Sequence, residues 1–269
     1  MPDRVRRKPV GAALLLAVFV VVAISGPWWI PHDPVRQFDL VALRNATPSA
    51  THWFGTDAYA RDVFSRAVIG ARTSFEVAVT GTLVALAVAV LIGMSSAWLP
   101  ARLGQTLMAG VDVLRALPRK LVLLLLLLLV PMPSALALGL LLGVSSWMGL
   151  AFLVYEHTRS LRTRPFVESA QAMGTPTWRL AWVHVLPHVR GALAAASAIL
   201  LADLLALEAA VSFLGIGIRA PRPSWGSMVL DSLPYLESAW WVAAVPCVLL
   251  AATVVATGIV ADALAERQR

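Results

Sequence analysis

The stretch from Leu121 to Tyr155 reads LVLLLLLLLVPMPSALALGLLLGVSSWMGLAFLVY and contains no charged residue. A helix rises about 1.5 Å per residue and needs roughly 20 apolar residues to cross a hydrocarbon core about 30 Å thick. The run is too long for one crossing and slightly short for two, and Pro131 and Pro133 mark where it folds back. Two crossings there must borrow residues from upstream. Asp112, Arg115, Arg119 and Lys120 are therefore expected in the cytosolic turns of the first, with the long basic side chains reaching outward.

Outward from that run, Val10 to Ile30, Val77 to Ala101 and Ser238 to Ala261 each supply one uncharged span, and Gly191 to Leu214 supplies another despite Asp203 and Glu208. The expected fold is an all-α integral membrane protein of about six transmembrane helices. Composition agrees, since 59% of the 269 residues are hydrophobic and only 14% charged, with a mean hydropathy of +0.77. The formal charge of +7 would suit a nucleic-acid surface if it formed one patch, but the basic residues lie scattered between apolar runs, so nucleic acid is not an expected partner. The single cysteine, Cys247, excludes an intrachain disulfide and argues against a cysteine metal site.

Basic residues set the orientation. With a cytosolic N-terminus the inner side receives Arg4, Arg6, Arg7 and Lys8, then Arg102, Arg115, Arg119 and Lys120. It also receives Arg159, Arg162, Arg164, Arg179 and Arg190, and finally Arg267 and Arg269. That is the majority of the 22 Lys and Arg, and both termini are expected inside. The basic start followed by an apolar stretch could also signal cleavage, but the stretch is long for a signal core and Gly26-Pro27-Trp28-Trp29 reads as an interfacial exit. Trp240 and Trp241 read as anchors of the same kind.

The chain accordingly divides into a cytosolic N-terminus (1–9), a first span (10–30) and an extracytoplasmic loop (31–76). A transmembrane core (77–263) contains a cytosolic loop at 156–190, and a cytosolic C-terminus (264–269) follows. Within the extracytoplasmic loop, Thr56 or Asp57 is expected to cap an amphipathic interfacial helix through Ile69, with Val63, Phe64, Ala67 and Val68 on one face and Arg61, Asp62 and Arg66 largely on the other.

The loop at 156–190 is long for a connection in a compact protein. Pro165 suits a first helical turn, Glu168 follows where the helix dipole favours a carboxylate, and Gly174 supplies a stop. Thr175-Pro176 reads as the start of a second helix whose apolar stripe, Trp178, Ala181, Trp182 and Val185, ends at Pro187. Two short helices at an angle make a knob. Its stripe can pack on the chain's own spans or dock a partner, and spacing alone does not choose.

Glu168-Ser169-Ala170, Gly174 and Val185-Leu186-Pro187 resemble the EAA loop of ABC-importer permeases, whose signature is Glu-Ala-Ala, Gly and Ile-Leu-Pro at those spacings. Phe54-Gly55-Thr56-Asp57 through Arg61-Asp62, with Gly70-Ala71-Arg72-Thr73-Ser74, resembles the Gly-Thr-Asp, Gly-Arg-Asp and Gly-Ala-Arg pattern of the dipeptide/oligopeptide/nickel permeases. Glu208 to Gly217 and Pro223-Ser224-Trp225-Gly226 are similar to a later segment of that family. The resemblance covers nearly the whole chain. It implies a type I importer-like fold and coupling to ATPase subunits through Glu168, Ser169, Ala170, Gly174, Val185, Leu186 and Pro187. The partners it implies are a homologous second permease, two ATPase subunits carrying ATP and Mg, and an extracytoplasmic solute-binding protein, all at a prokaryotic inner membrane. Ser169 for Ala and Val185 for Ile are small departures. Ala60 stands where Gly is common and is expected to matter little, whereas Arg219, Arg222 and Asp203 could bear on substrate choice.

Asp203 and Glu208, five residues apart on one span, diverge by roughly 140° around its axis and do not form a pair. Asp203 is expected either to line a translocation path or to pair with a basic residue, and Glu208 to sit near the outer interface in a structural role. Their alternative use is a proton relay in a secondary transporter, and a non-transporting membrane scaffold is a further alternative. His184 and His188 have metal-pair spacing, but Pro187 intervenes. The run Leu123 to Leu129 is read as lipid-compatible only. The sequence contains no Walker-type phosphate loop, nucleophile elbow or zinc helix motif, so neither catalysis nor a cofactor is expected of this chain.

Overall fold

The computed structural model describes residues 3–130 and 133–266. Pro131, Arg267 and Arg269, and the side chains of Arg4, Arg6, Arg7 and Lys8, lie outside the described residues. The chain runs as α1 (Asp3–Ser25), α2 (Val63–Trp98), α3 (Ala101–Ala116), α4 (Arg119–Leu129), α5 (Ala135–Val144) and α6 (Met148–Arg162). It continues as α7 (Pro165–Ala172), α8 (Thr177–Arg179), a π-helical turn (Leu180–Val185), α9 (Leu186–Phe213), α10 (Trp225–Ser232) and α11 (Leu236–Glu266).

Four helical stretches have membrane-crossing length and hydropathy: Val10–Trp28, Val63–Trp98, Thr177–Phe213 and Trp225–Glu266. Helices α5 and α6, bent by 49° across Ser145 to Trp147, together have the length and hydropathy of a fifth candidate, as a broken span or a re-entrant loop. The remaining expected crossing is divided. Leu117-Pro118 separates the 16-residue α3 from the 11-residue α4, because a proline cannot donate into a helix and disfavours helical backbone just before it. Helix α3 follows α2 almost at once, beginning at Ala101 with Pro100 as its cap.

The separate interfacial helix does not form. Asp62, not Thr56 or Asp57, caps α2, its carboxylate accepting from the Ser65 amide at 2.8 Å, and the helix then continues without a break for 36 residues, about 54 Å. That is well beyond the thickness of a hydrocarbon core, so one helix serves as both loop scaffold and span.

The main core gathers α1, α2, α4, α5, α6, α9 and α10 around Phe75, Val77, Leu138, Leu142, Leu204 and Trp225. Where α2 meets α5, the backbones touch through Gly81 and Gly143. A Cβ on Gly143 would lie 2.6 Å from the Gly81 carbonyl oxygen, so this crossing depends on the absence of a side chain. Trp225 is buried between Phe19 and Phe75 and donates its indole N–H to the Ala67 carbonyl at 3.0 Å, fastening α10 to α1 and α2.

Candidate functional site

Pro165 opens α7 and Glu168 lies in its first turn, as the sequence suggested. The helix ends in a Schellman motif: Gly174 N–H donates to Gln171 at 3.0 Å and Thr175 N–H to Ala170 at 3.1 Å, with Gly174 at φ +82°. The second helix differs from the expectation in two ways. Its cap is Pro176, with no side-chain bond from Thr175, and it does not end at Pro187. The π-helical turn before Pro187 widens the helix where the proline ring would otherwise strike the carbonyl four residues back. Helix therefore runs without interruption from Thr177 to Phe213.

The apolar stripe on this segment is shared between two surfaces. Ala181 and Val185 are buried with Val167 of α7, Met94 of α2, Val154 of α6 and Val189 and Leu193 of α9. Trp178 is 66% exposed and Trp182 49%, with Val183 and Met173 also exposed. Of the seven loop residues singled out in the sequence, Glu168, Ser169, Gly174 and Pro187 face outward, Leu186 is half-buried, and Ala170 and Val185 hold the knob to the body. His188 stacks on Phe166 at 4.9 Å and its Nδ1 meets the His184 carbonyl at 2.7 Å, so the His188 ring is held by contacts within the knob.

Asp203 lies on the wall of a cavity of about 460 Å³ between α3, α4, α6 and α9, with Ser145 and Ser146 nearby. It pairs with Arg119 of the same chain at 2.5 Å, and the carboxylate side chain is half exposed to the cavity. Arg115 also lines the space. Glu208 is elsewhere. It is fully buried, and its two oxygens accept from Ser74 of α2 and Ser212 of α9, each at 2.7 Å, as suits the expected structural role. Ser74 Oγ in turn accepts from the Trp225 amide at 3.4 Å, and Ser212 Oγ from the Ile218 amide at 3.0 Å. Glu208 thus clasps α2, α9 and the turn into α10. Arg222 pairs with Glu76 at 2.5 Å, and Arg219 donates to the Gly215 carbonyl at 2.5 Å.

A buried ionic cluster at the start of α2 was not anticipated, because Arg61, Asp62 and Arg66 read as the polar face of an interfacial helix. All three are buried. Asp57 accepts from Arg61 Nε at 2.7 Å, and Asp231 of α10 receives both Arg61 at 3.1 Å and Arg66 at 3.3 Å. Thr56 braces the loop, receiving the Ala46 amide at 2.9 Å and donating to the Leu43 carbonyl. Ala60 lies inside this turn at φ +52°, a left-handed conformation that glycine adopts freely and alanine does not, so its replacing the common Gly is not the neutral change expected. Among the described residues, His32, His52 and Asp62 are the group whose ligand atoms come within 4.8 Å of one another. Asp62, however, already binds His52 Nδ1 at 2.9 Å and the Ser65 amide, so the cluster works as a clasp on the helix cap.

A family model described as binding-protein-dependent transport system inner membrane component matches residues 89–269. The dipeptide transport system permease protein DppC of Bacillus subtilis (strain 168) is 34% identical, over 95% of this chain and 79% of that protein. The oligopeptide transport system permease protein OppC of Haemophilus influenzae is 28% identical over 97% of this chain and 84% of its own length. A putative peptide permease protein of Brucella suis biovar 1 is 32% identical over 97% and 86%.

Proposed function

Because the chain belongs to the binding-protein-dependent transport system inner membrane components, we propose that it is the membrane-spanning permease subunit of an ATP-driven importer for di- or oligopeptides. ATP is hydrolysed on separate subunits, and this chain forms one half of the path beside a homologous second permease. A solute-binding protein delivers the peptide from outside. Both termini lie in the cytosol, where the basic residues concentrate.

The observation that carries this reading is the exposed apolar face of Trp178, Trp182 and Val183, mounted on helix continuous with α9. An exposed cluster of large apolar side chains in a polar, basic loop is a docking surface. Closure of an ATPase pair against it shifts α9 as a rigid body, and Asp203, farther along the same helix, moves relative to Arg119 on α4. The two charges line the cavity that would become the path, so the ion pair opens and closes with the access change.

Replacing Trp178 and Trp182 together by Asp tests the reading, since both are exposed and the buried half of the stripe is untouched. The expected result is a chain that inserts and packs normally but co-purifies without ATPase subunits and supports no ATP-driven peptide uptake. Unchanged association and uptake would sink the proposal.

A further inference from the structure

We propose that the seam where α2, α3 and α6 meet binds a phosphate group, carried by an anionic phospholipid or free in solution. A second cavity, of about 390 Å³, opens there, walled by Ser96, Trp98, Ala101, Gly104, Arg159 and Arg162. It lies at the end of α6, separated from α7 by two residues, and hence at the root of the knob.

Four kinds of donor converge on it and no carboxylate lines it. The first is the N-terminus of the 16-residue α3, whose cap Pro100 offers no side-chain bond; Pro100, Ala101 and Gly104 line the cavity at the positive end of the helix dipole. The second is Arg159, which has no acidic partner among the described residues. The third is Arg162, which caps the end of α2 through the Ala97 carbonyl and lies 4.8 Å over the Trp98 ring, keeping further N–H groups unspent.

The fourth is independent of charge. Ser96 is 2% exposed, yet its hydroxyl has no hydrogen-bond partner, and neither has the Trp98 indole N–H in the same wall. Two orphaned polar groups in the wall of one basic cavity are unusual, because buried donors are normally paired and one left unpaired is costly. Phosphate oxygens are the acceptors that a helix N-terminus, two guanidiniums and hydroxyl or indole donors jointly select. Leu103 and Leu107 are exposed on the adjoining face of α3, where an acyl chain attached to the phosphate would lie. A group held there ties the start of α3 to the end of α6 and stiffens the base on which α7 is mounted.

The test uses the whole complex with its partner subunits, purified and placed in nanodiscs of phosphatidylcholine with or without phosphatidylglycerol. Wild type is compared with Arg159→Gln and with Ser96→Ala, neither of which removes a bond seen in the fold. Native mass spectrometry counts retained phosphatidylglycerol, and equilibrium dialysis against labelled inorganic phosphate counts free anion; the difference between wild type and variant removes binding by the other subunits. Retention of phosphatidylglycerol that falls at least tenfold in Arg159→Gln assigns the site to a lipid headgroup. Phosphate binding lost in the variant, without lipid retention, assigns it to free phosphate. Equal binding of both probes by wild type and both variants overturns the inference.

Discussion

Ala60 has φ +52° inside the turn that leads Asp57 back to Arg61, a conformation costing an L-residue about 1–2 kcal/mol relative to its ordinary range. Ala60→Gly is therefore expected to stabilise the chain by about 0.5–1 kcal/mol after glycine's extra unfolded-state entropy is counted, seen as a rise of a few °C in thermal unfolding. Next to it, Asp57→Ala leaves the Arg61 and Arg66 guanidiniums buried with only the partly exposed Asp231 to neutralise them. Breaking a buried pair in this way costs about 3–5 kcal/mol, and the measurable outcome is a collapse in the yield of folded chain. Neither effect was legible in the sequence. A helical face bearing Arg61, Asp62 and Arg66 has the same spacing whether it meets water or protein, and the carboxylate that decides the matter, Asp231, lies 165 residues beyond Arg66. The motif residues Thr56, Asp57 and Glu208 stood out by type, but the contacts that join them to distant parts of the chain, such as Ser74 to Glu208 across 134 residues, leave no local mark.

At the scale of elements, local punctuation was the readable part. Pro165, Glu168 and Gly174 set α7 where the sequence placed it, because an N1 proline, a first-turn carboxylate and a left-handed C′ glycine act within a single turn. A Cβ at Gly174 would meet nothing within 4 Å, so substitutions there act through backbone conformation alone. Gly174→Val is expected to loosen the knob and reduce ATPase-driven uptake several-fold, while Gly174→Asn, which tolerates φ near +82°, retains most of it. Equal uptake by the two variants would remove the conformational argument. Pro187 was misread as a terminus because its effect depends on the turn before it, and a π turn leaves no clear mark in residue types. The divided α3 and α4 were hidden for a related reason: apolar composition reports the medium, whereas the break at Leu117-Pro118 reports the path.

Across the whole molecule, the long helices α2, α9 and α11 form the frame, with α1 and the bent α5–α6 pair laid against it. Helix α4 packs inward through Leu123 and Leu127, with Leu121, Leu125, Leu128 and Leu129 exposed and its basic end tied to α9 by the pair Arg119–Asp203. Arg119→Gln is expected to raise amide exchange over 119–129 while leaving α2 and α9 unchanged, and to lower peptide uptake. Unaltered exchange in α4 would show that apolar packing alone positions it. The helix from Thr177 to Phe213 carries a different implication. It is 37 residues long, about 55 Å, and each residue turns it by about 100°. Insertion or loss of one residue anywhere between the docking face and Asp203 would swing one away from its target while leaving the other in place. Chains built on this plan can exchange residues along that stretch but can scarcely vary its length. The number of positions between knob and path should therefore be the most rigid feature of their alignment, more constant than the identity of any residue it contains.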